Sequence, residues 1–350
     1  MKALFDNIEI KSVASYLPPK VLELSSLSEE YGETEVVAII KTTGVERVRV
    51  CEDNQTAADM CYEAVAHLFE KEAIDKSLID GLVFVSQTSD YILPATSVVL
   101  QDKLGLSKDT VCLDIHYGCS GYIYGILQAA LWLQANACQN VLVLAGDTTT
   151  QLINPKDKSL RMVFGDCGTA TIVSKGKYQL GVTVNSDGSG YDKLIIPAGG
   201  FRRPRSEQTC ELVYDSDKNG RTADDLYMNG TAVFNFAITN VHKDIDNLLS
   251  LINWEKQDVN VFVLHQANDF IVNYIRKRLK VEEDKVPTNV TNYGNTGPAT
   301  IPLLLSDLYS VDKPELQKVV LSGFGVGLSW GSIACNLSET NFYEPINKQI

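Results

Sequence analysis

Apolar runs of strand length alternate with longer amphipathic segments through the first half of the chain. Four runs rich in valine, isoleucine and leucine cover residues 81–87, 110–115, 140–146 and 169–176. Between them, apolar residues recur at helical spacing in 97–106 and 121–137. Nearly continuous Val/Ile/Leu runs are typical of strands buried on both faces. This half therefore predicts a mostly parallel sheet covered by helices on both faces.

The second half of the chain repeats this order. Strand-like runs cover 259–266, 285–291, 318–325 and 330–337, and helical spacing covers 269–280 and 298–310. The stretch 177–230 between the halves is rich in turn-forming and charged residues. Such a composition predicts an inserted loop region rather than regular structure.

Matching pieces occur in the same order in both halves. "VFVSQTSD" (83–90) resembles "FVLHQAND" (262–269), and "YGCSG" (117–121) resembles "YGNTG" (293–297). The steps are similar, with 32 residues from Gln87 to Cys119 and 29 from Gln266 to Asn295. A fixed order of matching pieces indicates internal duplication. We predict two similar α/β halves, 1–175 and 176–350.

Composition and charge exclude several classes of protein. The chain has 350 residues, 45% of them hydrophobic, and a net charge of −13, which argues against a general nucleic-acid binder. No apolar run approaches the roughly 20 residues that span a bilayer, so no membrane contact is predicted. Eight cysteines are present without a C-x-x-C pair, so no metal site is predicted. These features predict a cytoplasmic protein with reduced thiols.

Cys119 is the cysteine whose surroundings suggest chemistry. It follows a predicted strand and precedes a long apolar helix, between the small residues Gly118 and Ser120. A thiol at a helix N-terminus lies at the positive end of the helix dipole, which predicts a stabilised thiolate. The small neighbours allow a substrate to approach closely. The alternative is a buried structural cysteine, which we expect for the other seven.

Two further polar residues complete a candidate site. His265 ends a predicted strand and can face a cleft, although a packed core histidine is the alternative. Asn295 occupies the position in the second turn that Cys119 occupies in the first. A neutral histidine and an amide can donate hydrogen bonds to a developing negative charge, although Asn295 can also cap a helix. The glycine-rich stretch 321–332 suits backbone N–H groups aimed at an oxyanion, or equally a bulge or hairpin.

Together, "GCSGYIYGI", "LHQAND", "YGNTGPATIP" and "GFGVGLSWGS" resemble the β-ketoacyl-acyl-carrier-protein synthase III family of the thiolase superfamily. The order and spacing of these motifs hold over nearly the whole chain. The resemblance implies a thiolase-like α/β fold, with two duplicated halves, mixed five-stranded sheets and an α-β-α-β-α layering. Thiolases place a second cysteine where this chain has "GFGVG", and elongating ketoacyl synthases place a second histidine where it has Asn295.

The resemblance also implies a reaction and its residues. Cys119 would take an acyl group from a thioester, with backbone N–H groups of Cys119 and Val326 holding the oxyanion. His265 and Asn295 would bind a malonyl thioester, whose loss of CO₂ yields an enolate that attacks the acyl group. Phe324 and Gly325 would lie beside the nucleophile. Acyl-CoA or acyl-carrier thioesters are then substrates, and no cofactor is expected.

The resemblance also implies residues that bind an acyl carrier protein or coenzyme A. An acidic acyl carrier protein would meet a basic patch formed by Arg276, Lys277 and Arg278, although a solvated helix end explains these cations equally well. Lys158 replaces a phosphate-contacting arginine and loses its bidentate geometry. A homodimer is expected, in which Leu93 of one subunit lines the acyl pocket of the other and makes that pocket roomier than the family's phenylalanine would.

Several positions depart from the family pattern, namely Ala38, His116, Phe270, Val326 and Leu328. They make a carrier-bound donor or a specialised pathway more plausible than acetyl-CoA initiation. Two other functions stay open at this point. An acyltransferase could load Cys119 and pass the acyl group to an alcohol or amine, and a non-enzymatic scaffold could share the fold, although a scaffold predicts a lost nucleophile.

Overall fold

A computed structural model describes residues 1–311 and 314–349 of the chain. Its strands in chain order are β1 (Lys2–Phe5), β2 (Ile8–Tyr16), β3 (Val21–Glu23), β4 (Arg47–Arg49), β5 (Gly81–Val85), β6 (Val111–Ile115), β7 (Asn140–Asp147), β8 (Cys167–Lys175), β9 (Leu180–Ser186), β10 (Leu194–Ile195), β11 (Val213–Tyr214), β12 (Gly220–Arg221), β13 (Tyr227–Met228), β14 (Val261–Leu264), β15 (Val319–Gly325), β16 (Ser329–Cys335) and β17 (Asn341–Phe342). The α-helices are α1 (Ser28–Tyr31), α2 (Glu33–Thr43), α3 (Ala57–Glu72), α4 (Thr96–Leu104), α5 (Gly121–Gln134), α6 (Lys158–Arg161), α7 (Gly230–Ile252), α8 (Asp269–Leu279), α9 (Val290–Tyr293) and α10 (Thr300–Tyr309).

Two large mixed sheets organise these elements. The first has six strands in the order β17-β2-β8-β7-β5-β6, and the second has five in the order β1-β9-β16-β15-β14. Strand β5 runs parallel to β6 and β7, whereas β8 runs antiparallel to β7 and β2. In the second sheet β14 and β15 are parallel and the remaining pairs are antiparallel. The mostly parallel arrangement expected from the apolar runs holds in the six-stranded sheet, where β17 also runs parallel to β2 and three of the five strand pairs are parallel. It does not hold in the five-stranded sheet, where one of the four pairs is parallel. Both sheets are mixed, as the family resemblance implied.

Helices fill the space between the sheets and cover their outer faces. Helices α5 and α10 pack between the sheets in one apolar core that includes Tyr122, Ile126 and Leu304. Helices α3 and α4 cover the six-stranded sheet, and α7 and α8 cover the five-stranded sheet. The resulting order is α-β-α-β-α, as expected. Apolar burial on both faces of each sheet explains why the strands read as nearly continuous apolar runs.

The two ends of the chain cross between the sheets. Strand β1 pairs with β9 in the five-stranded sheet, and β17 pairs with β2 in the six-stranded sheet. The expected count of five strands is therefore correct for one sheet, while β17 adds a sixth strand to the other. These edge strands are only four and two residues long, which is too short for a reliable sequence signal.

Two local predictions are wrong for physical reasons. No strand forms at 285–291, where the 3₁₀ turn Glu283–Lys285 leads toward α9. Pro287 lies in this segment and has no backbone N–H to donate to a sheet ladder. The predicted loop region 177–230 contains β9, which is paired on both sides inside the five-stranded sheet. The rest of that region forms short two-stranded sheets, β10 with β13 and β11 with β12.

Candidate active site

Cys119 lies where β6 leads into α5, at the wall of a cavity of about 340 Å³. The residue is only 7% exposed. Ser120 precedes the first helical residue and its hydroxyl lies 2.7 Å from that of Ser329. Ser329 in turn donates to the Val326 carbonyl at 2.6 Å. These bonds join the start of α5 to the loop between β15 and β16, so segments far apart in the chain hold the turn that carries Cys119.

Strand β15 passes so close to Cys119 that no side chain would fit at positions 323 and 325 of this strand. A Cβ on Gly325 would lie 2.7 Å from the Cβ and 2.9 Å from the Sγ of Cys119. A Cβ on Gly323 would lie 3.0 Å from the Cys119 carbonyl oxygen. Glycine at positions 323 and 325 is therefore required by close packing against Cys119. Val326 follows Gly325 and lines the cavity.

Burial raises the pKa of the Cys119 thiol to about 12, and the negative charge of Asp147 contributes in the same direction. Hydrogen bonds from the backbone N–H groups of Cys119 and Val326 and from the Asn295 side chain oppose this and lower the pKa. The pKa thus moves opposite to the thiolate expected from the helix dipole. Desolvation at a fully buried site outweighs the favourable groups. Cys119 is a neutral thiol in the resting protein and must lose its proton during any attack.

His265 follows β14 and is almost completely buried. Its Nδ1 lies 2.7 Å from the Thr300 hydroxyl, and its ring meets the Phe324 ring edge-to-face at 5.3 Å between centroids. Burial lowers the pKa of His265 to about 3. The imidazole is therefore neutral near pH 7, as expected for a hydrogen-bonding group rather than a cation.

The Asn295 turn is fixed through its backbone. The Asn295 N–H donates to the Val163 carbonyl at 2.8 Å, and its carbonyl accepts from Gly165 N–H at 3.0 Å. The side-chain Oδ1 accepts from the Gly297 N–H at 3.0 Å. Because the amide oxygen is used inside the turn, the amide NH₂ remains to donate, and hydrogen bonding by this side chain acts on Cys119.

Thr300 connects the histidine to this turn. Its hydroxyl lies 2.7 Å from His265 Nδ1 and 3.2 Å from the Gly297 carbonyl, to which it can donate. When the hydroxyl donates to Gly297, it accepts from Nδ1–H, and His265 Nε2 carries a free lone pair. When the hydroxyl donates to Nδ1, Nε2 carries the proton. Rotation of one hydroxyl therefore supports either neutral tautomer.

Asp147 is a buried carboxylate in the same cavity that sequence reasoning missed. Its Oδ1 accepts hydrogen bonds from the Ser86 hydroxyl (2.8 Å), the Gln87 N–H (2.7 Å) and both the N–H and hydroxyl of Thr88 (3.2 and 3.0 Å). A Cβ on Gly297 would lie 2.9 Å from its Oδ2. Burial raises the pKa of Asp147 to about 6. The sequence feature that could have identified Asp147 is a charged residue at the end of an otherwise apolar strand.

Residues expected around the site lie at different distances from it. Phe324 contacts His265 and is buried behind the cavity rather than lining it. Leu93 is 79% exposed, beside the exposed Ile92, and does not line this cavity. Lys158 Nζ donates to the Asp217 carbonyl at 2.6 Å and lies 3.4 Å from Glu35. Lys158 therefore links α6 to the segment around Asp217 and to α2.

The basic residues of α8 lie on the helix that follows His265. Asn268 caps this helix by accepting from the Ile271 N–H at 2.8 Å. Arg276 is half-buried and 3.7 Å from Glu283, whereas Lys277 and Arg278 are exposed. Arg278 lies over the Tyr274 ring, 5.6 Å from its centroid. Two of the three predicted cations therefore face solvent on one helix end.

The layered sheets and their central helices define a thiolase-like α/β protein. A family model of 3-oxoacyl-[acyl-carrier-protein] synthase III matches residues 113–188, and a model of the C-terminal part of that enzyme matches residues 249–337. A β-ketoacyl-[acyl-carrier-protein] synthase III of Caldanaerobacter subterraneus is 32% identical, over 94% of this chain and 98% of its own. The enzyme of Campylobacter fetus is 31% identical, over 92% and 96%. A Burkholderia xenovorans 3-oxoacyl-(acyl-carrier protein) synthase structure superposes with a TM-score of 0.93 at 33% identity, covering 99% of both chains.

The chain belongs to the 3-oxoacyl-[acyl-carrier-protein] synthase III family, as its motifs predicted. It is accordingly an acyl-transferring condensing enzyme, and a scaffold role or transfer to an alcohol or amine is not favoured. No helix among the described residues is long and apolar enough to cross a membrane.

Proposed function

We propose that the protein loads an acyl group onto Cys119 and condenses it with a malonyl thioester, releasing CO₂. The observation that carries this proposal is the convergence on one buried thiol of the Asn295 amide and the N–H groups of Cys119 and Val326. Neutral His265 is joined to the same turn through Thr300. Donors aimed at a developing negative charge are the main requirement of thioester chemistry.

In the first half of the reaction, the Cys119 proton passes to His265 Nε2 as the sulfur attacks the thioester carbonyl. The N–H groups of Cys119 and Val326 stabilise the tetrahedral oxyanion. The new sulfur–carbon bond remains, the departing thiolate of coenzyme A or the carrier takes the proton from His265, and acyl-Cys119 results. Transfer must be concerted, because an imidazolium with a pKa near 3 is unstable at this site.

In the second half, the Thr300 hydroxyl donates to Nδ1, so that His265 Nε2–H and the Asn295 amide both donate to the malonyl thioester oxygen. The bond to the carboxylate breaks, CO₂ leaves, and its electron pair forms the enolate. The enolate carbon attacks acyl-Cys119, the new carbon–carbon bond forms, and Cys119 leaves to be protonated by water. Covalent catalysis thereby divides one difficult step into two.

Acyl carrier protein is the proposed macromolecular partner, and no cofactor takes part in the proposed reaction. Lys277 and Arg278 are exposed on the helix that starts just after His265, where they can attract an acidic carrier. Replacing both with glutamate is expected to raise KM for a malonyl-carrier substrate without reducing Cys119 acylation by an acyl-CoA. Steady-state kinetics with each donor measures this difference, and equal effects on both donors would contradict it.

We also propose a homodimer formed along the edge strand β6. Strand β6 is the outer strand of the six-stranded sheet and exposes Val111, and Tyr91, Ile92 and Leu93 are also exposed, on the chain between β5 and α4. An open apolar strand edge favours pairing with a second copy. In such a dimer, Leu93 would reach the partner's acyl cavity. Analytical ultracentrifugation of a Val111→Lys variant tests this: a persistent dimer would contradict the assignment of the face.

The division into halves 1–175 and 176–350 remains our proposal for the origin of the site. It is supported by equivalent pairing, since β5-β7-β8 and β14-β15-β16 each join a parallel pair to an antiparallel one. The first half supplies Cys119, and the second supplies His265 and Asn295.

The decisive test of the reaction is mass spectrometry of the intact protein after mixing with an acyl thioester, followed by addition of a malonyl-carrier substrate. We expect one acyl adduct on Cys119, which disappears as ketoacyl product and CO₂ form in equal amounts. A Cys119→Ala variant that still produced ketoacyl product would overturn the proposal. Loss of the adduct to an added alcohol or amine without CO₂ would favour simple acyl transfer instead.

A further inference from the structure

Two chemically different sets of residues line the cavity beside Cys119. One set is apolar and contains Leu152, Phe164, Leu194, Ile195, Ile196 and Leu226. The other set is polar and consists of Gln87, His116, Asp147 and Thr149; we call these four residues the polar wall. A cavity that receives only a hydrocarbon chain has no use for four polar side chains next to the nucleophile.

The protein itself does not satisfy the outer atoms of the polar wall. Within residues 1–311 and 314–349, the Gln87 amide, the His116 ring and the Thr149 hydroxyl form no hydrogen bond with another residue. Asp147 uses its Oδ1 for four hydrogen bonds, whereas its Oδ2 makes none among the same residues. Polar atoms that line a cavity in this way are satisfied by water or by a ligand.

The polar wall lies close to the reacting sulfur. The Gln87 side chain packs directly against Gly118, the residue before Cys119, and leaves no space there for a Cβ. Asp147 is near enough to Cys119 for its charge to affect the thiol. A group contacting Gln87 and Asp147 would therefore sit on one of the first carbons of an acyl chain bound to Cys119.

The charge of the wall selects the kind of group. Asp147 Oδ2 is a hydrogen-bond acceptor and repels anions, and no lysine or arginine lines the cavity among the described residues. A carboxylate on the acyl chain would therefore be rejected. A hydroxyl fits, because it can donate to Asp147 Oδ2 while accepting from the Gln87 amide N–H.

We infer that the acyl group taken up by Cys119 is a short chain bearing a hydroxyl near the thioester, held by Gln87 and Asp147. The volume of about 340 Å³ is at the lower end of the range for ligand cavities, which favours a short chain. This inference rests on the proposed acylation of Cys119 and specifies its substrate. The preceding reaction would then be one that reduces a ketoacyl thioester or hydrates an unsaturated one.

The experiment compares acylation rates of Cys119 by intact-mass spectrometry. The donors are (R)- and (S)-3-hydroxybutyryl, butyryl and succinyl thioesters, each offered on coenzyme A and on acyl carrier protein. We expect one hydroxybutyryl enantiomer to react at least about tenfold faster than butyryl, the ratio that one net hydrogen bond supplies. Succinyl transfer is expected to be the slowest.

Substitutions locate the source of this preference. Gln87→Met keeps the side-chain size and removes the amide, so the hydroxybutyryl-to-butyryl ratio should fall about tenfold toward one. Thr149→Val is a second variant, in case Gln87→Met does not fold, and should lower the ratio by a smaller factor. Gln139→Met makes the same chemical change at an exposed position outside the cavity and should leave the ratio at the wild-type value.

The outcomes separate this inference from the proposed function. Equal rates for butyryl and both hydroxybutyryl donors, or an unchanged ratio in Gln87→Met and Thr149→Val, would overturn the hydroxyacyl inference while leaving acylation of Cys119 intact. Failure of every donor to label Cys119 would overturn the proposed function, and the inference with it.

Discussion

The turns at 117–121 and 293–297 share a sequence pattern but not a backbone. In the second turn Gly294 and Gly297 have φ values of 61° and 60°, in the left-handed region, whereas neither glycine of the first turn does. The first turn joins a strand directly to α5, and the second joins the short α9 to a 3₁₀ turn before α10. Similar sequences therefore present Cys119 and Asn295 by different routes to one place.

The difference follows from what each tip residue must do. Cys119 lines the cavity and packs closely against Gly323 and Gly325 of β15. The backbone N–H, the carbonyl and the Oδ1 of Asn295 form hydrogen bonds with nearby backbone groups, and its amide NH₂ is left to donate to Cys119. The first turn therefore places a thiol at the cavity wall, and the second directs an amide donor toward that thiol.

The largest expected effect comes from removing the thiol of Cys119 from the first turn. Cys119→Ala should abolish the acyl adduct and ketoacyl product, a loss of at least about 10⁴-fold, because no other group can form the covalent intermediate. Intact-mass spectrometry and product assays measure both. Cys112→Ala, at a half-buried thiol of the preceding strand, is the matched control and should retain the adduct. An adduct on Cys119→Ala would show that another nucleophile carries the acyl group.

Removing the tip of the second turn should act on a different step. Asn295→Ala is expected to lower condensation by about 10²- to 10³-fold, the usual effect of losing one donor to a developing oxyanion. Acylation of Cys119 should fall much less. Single-turnover measurements of adduct formation and CO₂ release separate the two steps. Asn292→Ala, on the neighbouring helix α9, is the control, and equal losses in both steps for Asn295→Ala would contradict the assigned division of labour.

Asp147 connects the surroundings of the two turns and gives a pH-dependent test of stability. Burial raises the pKa of this group to about 6, compared with about 3.9 in an unfolded chain. The protonated form is therefore favoured by folding: its stabilisation is complete below about pH 4 and is lost as the pH rises through 6. An Asp147→Asn variant lacks this dependence.

The free energy of unfolding of Asp147→Asn minus that of wild type should accordingly increase by about 2 kcal/mol from pH 4 to pH 7. Urea titrations across that range measure the difference, in which the other titrating groups cancel. Asp109→Asn, at an exposed position, controls for the loss of one negative charge. A flat difference between Asp147→Asn and wild type would mean that Asp147 is not desolvated as described.

The sequence was sufficient for features that depend on local pattern. Nearly continuous apolar runs located β5, β7, β14 and β15, and the residue order around Cys119, His265 and Asn295 identified the family. Pairing between distant segments was not predictable in this way, since β1 and β17 join sheets from opposite ends of the chain. The protonation state of Cys119 was also not predictable from the sequence, because the pKa of its thiol depends on burial by residues that are distant in the chain.

Thr300 shows the same limit at the site itself, since nothing in its sequence context distinguishes it from any threonine at the start of a helix. Its hydroxyl is the one described partner of His265 Nδ1. Thr300→Val removes that hydroxyl with little change of shape and should lower turnover about tenfold, with loss in both acylation and CO₂ release, because each step needs a defined tautomer. Thr300→Ser should restore most of the activity.

Thr296→Val is the matched control for this smallest effect, because the Thr296 hydroxyl is buried without a hydrogen-bond partner among the described residues. Thermal unfolding of both variants checks that the turn is intact. If Thr300 contributes only to packing, the turnover of Thr300→Val and of Thr300→Ser should fall in proportion to the loss of thermal stability in each variant. The ratio of the acylation rate to the rate of CO₂ release should then not change with pH. Turnover that falls in Thr300→Val at unchanged stability, and recovers in Thr300→Ser, would instead tie the second turn to the protonation state of His265.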